Sequence, residues 1–209
     1  LGAALPIQAQ DFVDSAGPLE DAAFYRLVAC AAPPGGPCGK PFYKWDKLQI
    51  TVGITQRDRV FLGGKLKRAE AAVVRAVQRL NAVGMGLTLT QNDGAPDISV
   101  HLLDTARGAT ITASDATILN GQTIANAITA LDVQGGIITG AAIGFSTTLP
   151  IQHYESVMLE EITQALGLIT DIQNPYYRTR SILSQGADNS LKTLGFQDRM
   201  ALIRHYPPL

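Results

Sequence analysis

Four oxygen-bearing side chains lie close together in the last quarter of the chain: Glu160, Glu161, Gln164 and Asp171. The first three belong to residues 153–166, where Val157, Leu159, Ile162, Ala165 and Leu166 give a helical apolar pattern that Gly167 ends. Glu160 and Gln164 are one helical turn apart and project from one face, so both can act on a single ligand. With Glu161 and Asp171 they form an oxygen donor set of the kind that suits a hard cation such as calcium. Two carboxyls also suit an acid and base pair, but neighbours on a helix point about 100° apart, which disfavours it for Glu160 and Glu161. The competing structural reading is a core helix in which Glu161 or Gln164 hydrogen-bonds neighbouring backbone. A carboxylate buried there must be paired or protonated, and Arg178 and Arg180 are the nearest cations in sequence.

The two cysteines, Cys30 and Cys38, flank Ala-Ala-Pro-Pro-Gly-Gly-Pro. Such a loop turns the chain back and brings two thiols within bonding distance, so the spacing predicts a disulfide over free buried thiols. No further Cys or His pair lies nearby to complete a zinc site. One bridge closing a short loop points to an oxidising compartment, periplasmic or extracellular. Of the three histidines, His153 precedes Glu160 by about two helical turns, too far to share a coordination sphere with it. His101 and His205 could return only through folding.

The elements that must position these groups fit one domain, because 209 residues suffice for a core without metal or disulfides. Seventeen basic against eighteen acidic residues argue against a nucleic-acid binder. Basic residues concentrate between Lys40 and Arg79, which reads as the solvated face of a helix and strand ends rather than an anionic-partner surface. No stretch is apolar enough for a membrane span, and the opening Leu1-Gly2-Ala3-Ala4-Leu5 has no basic region, as after signal-peptide removal.

Residues 11–29 read as a helix and 47–54 as a half-buried strand. A longer helix spans 65–83, with the stripe Leu66, Ala69, Val73, Ala76, Val77 and Leu80 before Gly84. Strands follow at 85–90 and 98–103, a short helix at 123–131, and a strand at 137–147. Residues 172–192 read as loop and 197–205 as a last helix stopped by Pro207-Pro208. The order gives an α+β fold over residues 1–209, with 1–40 as an N-terminal helix and disulfide-loop extension.

The segment Leu159-Glu160-Glu161-Ile162-Thr163-Gln164-Ala165-Leu166-Gly167-Leu168 resembles the active-site helix of zincin metallopeptidases, HExxH followed by small-Leu-Gly-Leu. In that chemistry two His four apart hold zinc while the Glu beside the first activates water. Here Glu160 stands at the first ligand position, Glu161 at the base and Gln164 at the second ligand. Thr170 falls at the third ligand position, beside Asp171. Both histidines are missing, and the neutral amide of Gln164 is a poor zinc ligand. The resemblance therefore implies a zincin-like mixed sheet with a long helix and a degenerate active-site helix. Neither zinc nor calcium is expected as a cofactor, and Glu160, Gln164 and Asp171 are the weak metal candidates.

Over a longer span the chain resembles domain of unknown function 2927, a family of proteobacterial exported proteins and lipoproteins. The matching pieces are Phe24-Tyr25-Arg26, Cys30 to Cys38, Lys44-Trp45, the Glu160 to Leu168 segment with Asp171, Leu194, and Asp198 through Pro207. That resemblance implies an envelope location and supplies no activity. The first functional reading is a periplasmic pseudoenzyme: a peptidase-like scaffold without zinc ligands that binds a protein partner in the envelope. A lipid anchor or peripheral association stays open. The alternative is a metal-dependent hydrolase with an altered site, Glu161 as general base and Glu160, Gln164 and Asp171 around an unusual cation. A third is a periplasmic module whose cleft under residues 150–180 takes a peptide. The Thr- and Ala-rich residues 108–154 are the expected contact surface.

Overall fold

Strands buried on both faces lose the apolar–polar alternation of a half-exposed strand, and the central strands here are of that kind. The computed structural model describes residues 7–8, 11–186 and 189–208. The opening residues 1–6, on which the reading of a processed N-terminus rests, lie outside them. The strands β4 (Gln49–Arg57), β5 (Thr88–Gln91), β6 (Ile98–Leu103) and β8 (Ile137–Ser146) run parallel to one another. The antiparallel β7 (Ala127–Gln134) and the two-residue β1 (Ile7–Gln8) complete the order β1-β7-β8-β6-β4-β5. Beyond the end of β6, β3 (Lys44–Trp45) takes its place beside Ile137 and Ile138.

Successive side chains alternate between the two faces of this sheet. Ile98, Val100, Leu102, Ala127, Leu131, Ile143 and Phe145 enter the main core. On that side lie α2 (Gly64–Asn81) and α3 (Tyr154–Ala165), packed against each other and against the sheet. Leu103, Ile128, Ala130 and Ala142 face the other way, into a smaller core closed by Ile111, Leu119 and Ile124. Much of the apolar part of residues 108–154 enters these two cores, while Ile137 and Ile151 stay exposed. On α4 (Phe196–His205), the exposed Phe196 and Ile203 border a groove with Leu194 and Met200.

Two elements differ from their sequence reading. Residues 11–14 form strand β2 (Asp11–Asp14), parallel to β9 (Thr170–Gln173), and helix α1 begins only at Asp21. Gly17 adopts φ +64° and precedes Pro18, whose ring keeps the preceding residue out of the helical region. Residues 123–131 are not helical either: from Ala127 they belong to β7, hydrogen-bonded to β8 on one side and β1 on the other. Two ladders satisfy those backbone groups, outweighing a weak local helical preference. The described residues of 172–192 are largely loop as read, apart from the end of β9 and a turn of 3-10 helix at Pro175–Tyr177; residues 187–188 lie outside the described residues.

Helix α1 (Asp21–Cys30) buries Phe24, Leu27 and Val28 in the main core and ends at the disulfide between Cys30 and Cys38. This cross-link closes a loop of sequence separation 8. Restricting the unfolded chain over so short a loop stabilises by about 2.5 kcal/mol in the loop-entropy model. The double variant Cys30→Ser, Cys38→Ser is expected to lose about that much in a urea titration at equal oxidation. A loss below about 0.5 kcal/mol would show the loop is held by packing alone. Among the described residues, no helix is long and apolar enough to cross a membrane.

Candidate functional site

The turn that ends α3 is held by residues from three distant parts of the chain. The Trp45 indole N–H donates to the Ala165 carbonyl at 2.9 Å, and the Tyr206 hydroxyl donates to the Leu166 carbonyl at 2.6 Å. Tyr206 in turn accepts from the Trp45 backbone N–H at 3.1 Å. Gly167 sits at φ +103°, and a Cβ there would meet the Tyr43 carbonyl at 2.1 Å, so no other residue fits. That carbonyl accepts from His205 Nε2 at 2.9 Å, which leaves Nδ1 to accept from the Tyr25 hydroxyl at 3.2 Å. Burial lowers the His205 pKa to about 4, so the ring is neutral at physiological pH. Gly167 is therefore required by close packing, and His205 serves that clamp. His101 also works elsewhere, on β6, bonded to Gln56 and Ser99.

The clamp fixes α3 so that Glu160, Glu161 and Gln164 line a cavity of about 450 Å³, together with Asp171 from β9. All four sequence candidates are thus brought together. Ala125–Ala127 at the start of β7 and Ser184 and Gln185 beside β9 form other walls, and Arg107 and His153 also line it. His153 shares the cavity with Glu160 while lying at the far end of the helix, as its spacing predicts.

Each polar group has its own environment. Thr129 on β7 donates to Glu161 Oε2 at 2.6 Å, and Gln164 Nε2 donates to Asp171 Oδ1 at 2.9 Å. Burial raises the Glu161 pKa to about 8, against the opposing pull of the Thr129 hydrogen bond, and the Asp171 charge raises it further. Burial likewise raises Asp171 to about 7, although the Gln164 hydrogen bond and the Lys40 charge pull it down. Glu160, half-buried, is pushed well above the carboxylate range by desolvation and then by Asp171, Glu161 and Asp198. Burial thus favours the protonated form of all three acids, and Glu161, near 8, is mostly a proton donor at neutral pH.

The cation that reaches this cluster is not one of those expected. Arg178 and Arg180 are exposed, with Arg180 donating to the Tyr176 carbonyl and lying 4.3 Å above its ring. Lys40 acts on Asp171 instead, its Nζ 2.9 Å from Asp11 on β2. The Lys40 backbone N–H donates to the Cys30 carbonyl, so the disulfide loop sets this charge in place. Thr129 and Lys40 escape sequence reasoning because each comes from a remote segment without a motif of its own, and Ser184 because it stands in a nearby loop with no pattern.

These groups do not fit a zinc or calcium centre. The imidazole on the cleft wall, His153, lies at the far end of α3 from Gln164, while one oxygen each of Glu161 and Asp171 is engaged by Thr129 and Gln164. Among the described residues, no three His, Cys, Asp or Glu side chains converge closely enough to hold an ion. What the arrangement offers is a set of buried acceptors and proton-bearing carboxyls around an open space. No family model and no curated protein matches this chain.

Proposed function

We propose that this chain is an exported binding or assembly component that uses the α3 cleft to hold a partner without cleaving it. In this reading the scaffold is zincin-like, of the kind resembled in domain of unknown function 2927, and works in the cell envelope with a protein partner. The observation that carries it is the state of the helix: where a zinc peptidase presents ligands and a base, Glu161 is bonded to Thr129 and Gln164 to Asp171. A general base must be ionised at working pH, and burial keeps Glu161 protonated up to about 8. The disulfide favours an oxidising compartment.

Elemental analysis of natively purified protein tests this, run beside Glu160→Ala and with a quenched fluorescent peptide library as substrate. The expected result is no stoichiometric metal in either protein and no cleavage. Stoichiometric metal that disappears in Glu160→Ala, with hydrolysis abolished by Glu161→Gln, would overturn the reading in favour of a hydrolase.

A further inference from the structure

We infer that the α3 cleft takes an organic ammonium group, from a lysine side chain or a peptide N-terminus, between Glu160, Asp171, Gln164 and Ser184. The inference rests on the reading of the cleft as a binding site and names the chemistry of its ligand. Gln164 is 2% exposed and lines the cavity, and its Oε1 has no hydrogen-bond partner among the described residues. Ser184, 3% exposed on the adjoining wall, has an Oγ in the same condition. A buried polar group left without a partner costs about 1–3 kcal/mol, and Gln164 Oε1 can only accept, so it calls for a donor-bearing occupant from which the Ser184 hydroxyl can accept too.

The charges decide which occupant. Glu160, Glu161 and Asp171 face the space, and Asp198 adds its field at Glu160. Against them stand Arg107 and His153 on the cavity wall, and Lys40, which is held by Asp11. The lining also carries the amides of Asn126, Gln185 and Asn189, but the acceptor-only Gln164 Oε1 and the carboxyls beside it disfavour an anion at that point. A metal ion needs several ligands converging at fixed short distances, which these side chains do not supply. An ammonium carries three N–H donors on a flexible stem and accepts looser spacing at ordinary hydrogen-bond lengths. A volume of about 450 Å³ admits such a group with the residues that carry it. Its charge would also favour ionised carboxyls, so binding at neutral pH would release protons.

Isothermal titration of the full chain with three pentapeptides tests this at pH 7. One is acetyl-Ala-Ala-Lys-Ala-Ala-amide, one is Ala-Ala-Ala-Ala-Ala-amide with a free N-terminus, and the third is the acetylated, uncharged alanine peptide. The expected result is at least tenfold tighter binding of one charged peptide, and which one identifies the source of the ammonium. Its binding enthalpy should vary with buffer ionisation enthalpy, reporting proton release. Gln164→Leu should weaken binding about tenfold, and Ser184→Ala provides the same test if the first variant does not fold. Equal binding of the neutral peptide would overturn the ammonium while leaving a binding cleft. No binding by any peptide, or unchanged affinity in the folded variants, would also overturn it. Only metal-dependent hydrolysis would remove the underlying reading.

Discussion

Replacing Glu161 by Gln should stabilise the protein at pH 8 by on the order of 3 kcal/mol while changing little below pH 5. Glu161 titrates near its ordinary 4.5 when unfolded and near 8 in the folded chain. The folded state therefore binds more protons between those values, and stability falls as pH rises, by up to about 1.4 kcal/mol per pH unit for each such group. The favourable contribution is complete below about 4.5 and gone above about 8. Asp171 acts in the same direction between its ordinary 3.8 and about 7. His205 opposes both on the acid side: with its pKa lowered from 6.5 to about 4, it withdraws stability as pH falls through that range. The clean window is thus from pH 6.5 upward, where the carboxyls alone act. Urea midpoints from pH 6.5 to 8.5 should fall for the natural chain and fall less steeply for Glu161→Gln, whose amide still accepts from Thr129. Parallel slopes, or a natural chain that gains stability across this range, would mean that Glu161 is ionised in the folded protein.

The second large effect is at Asp198, fully buried in the first turn of α4. Its carboxyl accepts from Ser181 Oγ at 2.5 Å, Ile182 N–H at 3.0 Å and Gly195 N–H at 2.8 Å. One side chain thereby satisfies the start of α4 and ties it to the segment running into Ser184 on the cavity wall. Asp198→Ala would strand the buried Ile182 N–H and Ser181 hydroxyl and the partly buried Gly195 N–H, and a loss of about 3–5 kcal/mol is expected. Amide hydrogen exchange should speed up first at Ile182 and Gly195, and a titration fixes the total. A loss below about 1 kcal/mol, with those amides still protected, would show that the local packing holds without the carboxylate.

Tyr43, Trp45, Gly167 and the pair His205-Tyr206 look unrelated along the chain, yet all meet at the end of α3. Their shared task is to fix the helix that carries Glu160, Glu161 and Gln164. The expected effect of changing them is therefore on the placement of the cleft, with no direct part in its chemistry.

Local sequence was sufficient for elements whose pattern has a single physical solution. The stripe from Ala69 to Leu80 can be buried only as a helix, and α2 occupies Gly64–Asn81. The strand at Ile98–Leu103, the short Pro- and Gly-rich loop between the cysteines and the grouping of Glu160 with Gln164 follow from similarly local rules. Where the pattern admits two solutions, long-range pairing chose between them: residues 11–14 and 127–131 became strands because β9, β8 and β1 offered their backbones partners. The chemistry of the site was decided at the same level. Sequence placed Glu160 and Glu161 on one helix with Asp171 shortly after it, but only the fold made β9, set Thr129 on Glu161, left Gln164 Oε1 without a donor and brought Lys40 to Asp171. Burial and hydrogen bonding depend on what packs above a side chain, and for these residues the neighbours come from segments far away along the chain.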